Sequence, residues 1–333
     1  MLLNSFSLDT NNPEFRYAVD FVMHTNRMLY LTGKAGTGKT TFLKYLKTVC
    51  NKNMVVLAPT GVAAVNAGGQ TIHSFFNIKP SVYVPGDKRL RTRIPPEDPD
   101  RSIINDHFRY HRDKLDIIRG LELLVIDEIS MVRCDLLDVV DRLLRVFRKR
   151  EFTPFGGVQV VLIGDSFQLP PIVNQDDWSI LGQFYTSPFF FSARVMQDMK
   201  PVYIELKKIY RQTDQDFIDL LNRIRVNSLG PEDLTLLNSR YLHGFSPEEE
   251  EDYIILATHN RMVEETNEKR LREIDEPLMR FEAVVEGTFP ENSFPADAIL
   301  KLKEGAQVMF LRNDRNKRFY NGKIGHVIEI SDD

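Results

Sequence analysis

Cysteine is nearly absent from this 333-residue chain: there are two, Cys50 and Cys134, and neither sits in a CxxC pair or a His/Cys cluster with metal-ligand spacing. That excludes a disulfide scaffold and a zinc module, and it suits a reducing cytosol. No apolar run reaches the roughly 18 residues of a membrane span. The opening residues MLLNSFSLDTNNPEF lack a basic stretch followed by a long apolar core, so no signal or transit peptide is expected and the protein reads as cytoplasmic. An excess of positive charge is missing as well, with 43 Lys and Arg against 47 Asp and Glu for a net charge of −4. Binding through bulk phosphate attraction is thereby excluded, whereas a local nucleic-acid channel is not.

What is present is ordinary globular composition, 42% hydrophobic and 27% charged, at a length that suits about two domains. Between residues 28 and 163 four apolar runs, MLYLT, MVVLA, LLVID and VQVVLIGD, each follow or precede a helical pattern. Continuous apolar strands separated by helices predict an α/β fold with a parallel sheet covered on both faces. Asp135 to Arg150 reads as an amphipathic helix, with Leu136, Val140, Leu143, Leu144 and Phe147 on one side and its acids early and bases late.

Residues 77–119 interrupt this rhythm with 5 of the chain's 17 prolines and a cluster of Lys88, Arg89, Arg91 and Arg93. An inserted lobe at 77–116 is expected, either a solvated excursion or a nucleic-acid contact surface. His107, Phe108, Tyr110 and His111 tilt the expectation toward contact, because aromatics among cations stack bases. A second α/β segment is expected from about 199 to 275, with strands YIEL at 203 and YIILAT at 253 and a helix at 217–225. The run PEEEED at 247–252 reads as an acidic loop, and 276–333 as the beginning of a small β subdomain.

The chemistry starts at GKAGTGKT, residues 33–40, which fits GxxxxGK[ST] between a strand and an apolar helix. In that pattern backbone N–H groups turn inward around a phosphate, Lys39 neutralises the β/γ oxygens and the Thr40 hydroxyl reaches Mg²⁺. The candidate nucleotide-binding residues are Gly33, Ala35, Gly36, Thr37, Gly38, Lys39, Thr40 and Thr41. Asp127 and Glu128 end the strand LLVI, suiting them to hold Mg²⁺ through its water shell and to orient an attacking water, respectively. Gln168, in GDSFQLPP after the next strand, can read a γ-phosphate or the attacking water. A proline-stopped loop is the plain alternative there.

In order along the chain, GKAGTGKT, APTGVAA (58–64), TIHSFF (71–76), VIDEISM (126–131), GDSFQLPP (164–171) and YRQTDQDFIDLLNRIR (210–225) resemble the motifs of superfamily 1 helicases. The nearest likeness is to the petite integration frequency (PIF) helicases and their RecD-like relatives, from about residue 28 to 328. Ile129 to Arg150 is similar to the signature segment that separates the two groups. The resemblance implies two RecA-like domains with inserted lobes (1–76 with 117–198, then 199–275, with 276–333 opening an SH3-like insert). ATP and Mg²⁺ lie between the domains and single-stranded DNA across the top. It implies an ATP-hydrolysing DNA helicase or translocase moving 5′ to 3′, active on 5′-tailed or structured DNA such as G-quadruplexes. Roles in repair, recombination, replication and telomere maintenance follow from the same likeness, with no membrane, a monomer, and a bacterial nucleoid-associated location.

By the same resemblance Arg211 brings a guanidinium to the γ-phosphate from the second domain, where a surface salt bridge is the alternative. Pro59, Thr60 and Gly61 would meet DNA phosphates, His73 and Phe75 would stack or wedge bases unless they are packed core, and Thr258, His259 and Asn260 would form the second grip.

Two departures stand out. Many superfamily members read adenine with a Gln ahead of the phosphate loop, but residues 1–32 contain no Gln, leaving Asn4, Phe6, Asn11 or Asn12. The family's later motifs, with Ser-Gln-Gly and Ser-Arg, do not occur, so the second domain is expected to be incomplete, with nucleotide bound but poorly hydrolysed and duplex not unwound. Two other functions compete: a nucleotide-switched DNA-binding module without motor activity, and a phosphotransferase on a small acceptor.

Overall fold

All four apolar runs expected as strands between residues 28 and 163 form strands in the computed structural model. It describes residues 12–98, 100–245, 255–285, 296–311, 314, 318–319 and 323–331. They are β1 (Leu29–Gly33), β2 (Met54–Ala58), β4 (Leu123–Ile126) and β5 (Gln159–Ile163), joined by the short β3 (Gln70–Thr71) and by β6 (Val202–Leu206). The six lie parallel in the order β3-β2-β4-β5-β1-β6, so the strand carrying the phosphate loop is flanked by β5 and β6. The α/β reading therefore holds, but the strand expected to open the second segment at 203 belongs to the first sheet, in register with β1 from Leu29↔Val202 to Gly33↔Leu206. An apolar run identifies a strand; which sheet it joins is decided by the crossover that precedes it.

Period-two alternation explains why these strands are apolar throughout. Leu123, Val125, Val161 and Ile163 face one core, built with Phe15 and Val22 of α1 (Pro13–His24) and Phe42, Leu43 and Leu46 of α2 (Lys39–Val49). Leu124, Ile126, Val160 and Leu162 face the other core, with Ile72 and Phe76 of α4 (Ile72–Phe76) and the apolar side of α7 (Cys134–Phe147). The short α3 (Gly61–Asn66) follows β2, and α5 (Ile104–His107) and α6 (Arg112–Gly120) precede β4. After β5 come α8 (Gln175–Leu181), α9 (Arg194–Asp198) and, beyond β6, α10 (Gln215–Arg225).

In the 77–116 segment Phe108 and Tyr110 drop out of the expected stacking surface, while His107 and His111 are exposed. Phe108 is buried in the core, and Tyr110 donates its hydroxyl to the Phe76 carbonyl at 2.6 Å, so neither ring is presented to solvent. Of its cations, Lys88, Arg89 and Arg91 are matched by carboxylates of the same segment. Arg89 pairs with Asp87 and covers the Tyr83 ring, and Arg91 pairs with Asp98 at 2.7 Å. The segment is tied to α7, where Arg142 donates to Leu90 O at 3.0 Å and buried Asp135 accepts from Tyr83 N at 3.0 Å.

Contacts divide the chain into two compact units, Met1–Gly230 and Pro231–Asp333. The second holds α11 (Pro231–Asn238), α12 (Asn260–Glu273) and two antiparallel strand pairs, β7 (Met279–Glu282) with β8 (Ile299–Leu302) and β9 (Gln307–Met309) with β10 (Ile324–His326). The β pieces expected after residue 276 are thus present. The strand expected at 253 falls partly outside the described residues, and 255–258 carry no strand; the acidic run at 247–252 lies outside them. Among the described residues no helix is long and apolar enough to cross a membrane.

Candidate functional site

Parallel strands put the loops that follow them at one edge of the sheet, and four of those loops carry the residues singled out above. The first runs from β1 into α2. Gly38 sits at φ +95 as the residue before α2, a left-handed conformation that glycine adopts without strain. Gly36, left-handed as well at φ +78, has a second reason: a Cβ there would lie 2.6 Å from Arg211 Cβ. Thr37 is buried and its hydroxyl donates to Lys34 O at 2.9 Å, whereas Ala35 and Thr40 are exposed and Thr41 is half-buried. Lys39 Nζ donates to Gly33 O at 2.7 Å and Lys34 O at 3.1 Å. Burial lowers the Lys39 pKa, opposed by the fields of Asp165, Glu128 and Asp127 in that order. An ammonium held by carbonyls alone beside the N-terminus of α2 is suited to a polyphosphate.

β4 delivers the two carboxylates. Asp127 is 8% exposed and accepts from Glu128 N at 3.0 Å. Burial first, and Glu128 second, push its pKa up to about 6. A carboxylate so placed favours a proton or a cation, which fits a divalent ion beside a triphosphate. Glu128 adopts φ 52, ψ 44, a left-handed backbone that turns the chain sharply into the next residues. Strain of this kind gathers at functional positions.

β5 leads into the third loop. Gly164 lies against the turn after Glu128, for a Cβ would stand 2.9 Å from Ile129 Cγ2 and 3.0 Å from Ile129 N. Gln168 is exposed, and its Nε2 donates to Asp165 Oδ2 at 3.0 Å. Arg225, at the end of α10, forks onto the same carboxylate, Nε to Oδ2 at 3.0 Å and a terminal nitrogen to Oδ1 at 2.7 Å. Burial raises the Asp165 pKa, but the Arg225 and Gln168 hydrogen bonds outweigh it and leave the group below its ordinary value. No local spacing links residues 165 and 225, so this pair was invisible in the sequence.

The fourth segment follows β6. Tyr210 N donates to Gly36 O at 2.8 Å, which seats Arg211 against the phosphate loop. Arg211 was expected from the second domain; it lies in the first unit instead, because β6 and the residues after it belong to that unit. Of the candidates for adenine, Asn4, Phe6 and Asn11 lie outside the described residues. Asn12 is buried, caps α1 through Phe15 N and donates to Tyr210 Oη at 3.0 Å, so its amide is already engaged.

The DNA candidates divide. Pro59, Thr60 and Gly61 form the β2–α3 corner, with Thr60 exposed and its hydroxyl accepting from Ala63 N at 3.2 Å. Lys47 of α2 donates to Ala67 O at 2.5 Å and Gly68 O at 2.8 Å, tying the far end of α3 to the phosphate-loop helix. His73 is half-buried, its pKa lowered by burial and by Arg133, which keeps the ring neutral near pH 7. Phe75 is 3% exposed, edge-on to Phe76, with the Lys114 ammonium 3.3 Å above its ring; it is core, and base stacking on it is not available. In the second unit Thr258, His259 and Asn260 are exposed at the start of α12, the Thr258 hydroxyl 2.9 Å from His259 Nδ1.

With that geometry in place, the sequence matches the PIF1-like helicase family over residues 11–85 and 86–232. The chain belongs to this family. It is 31% identical over 325 residues to the ATP-dependent DNA helicase RRM3 of Saccharomyces cerevisiae, covering 93% of this chain and 41% of that protein. Among solved structures it resembles Pif1 helicases at forked double-stranded DNA, with 40% identity, a TM-score of 0.84, and 96% of this chain and 71% of that one covered. A Bacteroides Pif1 helicase in complex with ADP-AlF3 and single-stranded DNA is similar at 39% identity and a TM-score of 0.81, over 96% and 70% of the two chains. The PIF1-like match takes in the phosphate loop, the strand-end carboxylates and Arg225 alike. Against RRM3 this family member spans under half the relative's length.

Proposed function

We propose that the protein is an ATP-driven motor on single-stranded DNA, moving 5′ to 3′ and separating strands on 5′-tailed or structured DNA, G-quadruplexes included, as a monomer. The observation that carries the reading is convergence: the carboxylates of Asp127, Glu128 and Asp165, from the ends of two strands, all act on the half-buried Lys39 ammonium, which is itself held by the Gly33 and Lys34 carbonyls. That arrangement suits phosphoryl transfer, in which catalysis is positioning and charge neutralisation.

The phosphate-loop amides and Lys39 bind and orient the β- and γ-phosphates. Thr40 and Asp127 would hold Mg²⁺, which when bound supplies positive charge to the phosphate oxygens. Glu128, held in a left-handed turn at the end of β4, takes the proton of the attacking water. Gln168 senses the terminal phosphate, and Arg211, seated on the loop at Gly36, stabilises charge that develops there. Thr60 and the N–H groups of the β2–α3 corner grip a DNA phosphate, and Lys47 links that corner to the helix that begins at Lys39. A Pif1 similar to this chain is described with ADP-AlF3 and single-stranded DNA together, which supports binding of both kinds of ligand.

Strand separation on matched 5′-tailed and 3′-tailed duplexes tests the reading. A chain that also carries the later Ser-Gln-Gly and Ser-Arg motifs is expected to separate the 5′-tailed form alone with ATP, and residues 1–333 by themselves to do so poorly. Separation of the 3′-tailed form would reverse the direction, and nucleotide-dependent DNA affinity with no separation of either form would favour a switched binding module.

A further inference from the structure

Asp165 is a carboxylate with three kinds of work and almost no exposure. Its side chain is 1% exposed and receives Phe167 N at 3.2 Å, Gln168 Nε2 at 3.0 Å and the two-pronged Arg225. Oδ2 is shared, taking both the Gln168 amide and Arg225 Nε. The Arg225 guanidinium also lies 4.2 Å from the centre of the Phe167 ring, so it covers the residue next to the sensor as well as the carboxylate behind it. The start of the loop cannot drift, because Gly164 is packed against Ile129. Its distal half is therefore set by what Asp165 and Arg225 do.

We infer that Arg225 is a positioning residue for nucleotide discrimination: by clamping Asp165 it fixes the Gln168 amide, and it passes the presence of a terminal phosphate to helix α10. The inference rests on the nucleotide-site reading above and adds a residue that reading does not use. A phosphate oxygen within reach of Gln168 draws on the same Nε2, and turning the amide toward the phosphate weakens its bond to Asp165 Oδ2. When the phosphate wins, Oδ2 is left to Arg225 alone; when it leaves, the amide returns. The end of α10 thus feels a change at the nucleotide through one carboxylate, with no direct contact of its own. Only a planar fork can span both oxygens and lie over Phe167, so a lysine keeps the charge and loses the clamp.

The test uses the full chain and titrates Mg²⁺–ADP and Mg²⁺–AMPPNP into the parent, Arg225→Gln, Arg225→Lys and Asp165→Asn/Arg225→Gln, with thermal midpoints measured alongside. The parent is expected to prefer the triphosphate analogue by about tenfold, the worth of one charge-assisted hydrogen bond. Arg225→Gln should keep ADP affinity within about twofold and lose most of that preference, Arg225→Lys should lose nearly as much, and the double variant should be no worse than Arg225→Gln alone. Should Arg225→Gln fail to fold, Arg225→Lys decides by the same ratio. A variant that keeps the parent's preference overturns the inference, as does equal loss of affinity for both nucleotides, which is what a merely structural role produces. A parent that binds both equally also overturns it, while a parent that binds neither overturns the nucleotide site itself.

Discussion

In the first unit the candidate residues hang from filled strands: no position of β4 or β5 is exposed, and the loops that follow them inherit that rigidity. In the second, α12 buries none of its residues, Leu256 just before it is 86% exposed, and Thr258, His259 and Asn260 stand at its start. The same chain thus holds one set of functional candidates in a packed frame and another on an exposed helix end. Packing has an electrostatic consequence, since the frame that orients Asp127 and Lys39 also desolvates them and moves both pKa values. A site on an exposed helix start takes its order from what it binds.

The largest effect expected from this contrast is in the packed frame. Glu128→Gln should lower ATP turnover by about 10²–10⁴, the range for loss of a general base, while nucleotide binding is retained. Single-turnover hydrolysis checks this, and turnover equal to the parent's would remove Glu128 from the role. Next in size is stability. Phe76, fully buried, should cost about 3–5 kcal/mol on conversion to alanine, whereas Met262→Ala on α12 should stay within about 0.5 kcal/mol. Denaturant unfolding of the two variants would break the contrast if the losses were similar.

Asp127 sharpens it with the opposite sign. Its carboxyl titrates near about 6 in the fold against 3.8 in the free group, so the folded chain holds the extra proton between those values. Stability contributed by this group therefore falls as pH rises through that window. Asp127→Asn should raise stability by about 2–3 kcal/mol at pH 7 without nucleotide, and the gain should vanish near pH 4. A gain that persists at pH 4 would mean that charge is not its source. The smallest effect is at the β2–α3 corner. Thr60→Ala removes the cap on Ala63 N and should cost about 1 kcal/mol, with weaker single-stranded DNA binding at unchanged nucleotide affinity. DNA affinity equal to the parent's would take Thr60 out of the grip.

What could be seen in the sequence was local. The phosphate loop, the Asp127–Glu128 strand end and the helix at 134–147 are each specified by neighbours a few residues apart, through glycine placement, an apolar run or a helical period. Burial was harder to see. Phe108 and Tyr110 lie in polar, irregular surroundings along the chain, yet their rings join the core built by α4, which carries Phe75, and by α7, because residues far apart supply the apolar walls. The sheet membership of β6 and the pairing of Asp165 with Arg225 depend on where a crossover returns, which no window of the sequence encodes. Arg211 follows from the same cause: once β6 joins the first sheet, the residues after it are carried onto the phosphate loop.

The central claim is that nucleotide state and DNA grip are coupled, and the most direct test is single-stranded DNA affinity measured with and without Mg²⁺–AMPPNP in the parent, Lys39→Ala and Glu128→Gln. The account predicts that the nucleotide shifts the parent's DNA affinity severalfold, that Glu128→Gln shows the same shift, and that Lys39→Ala shows none. DNA affinity indifferent to nucleotide in the parent would contradict it.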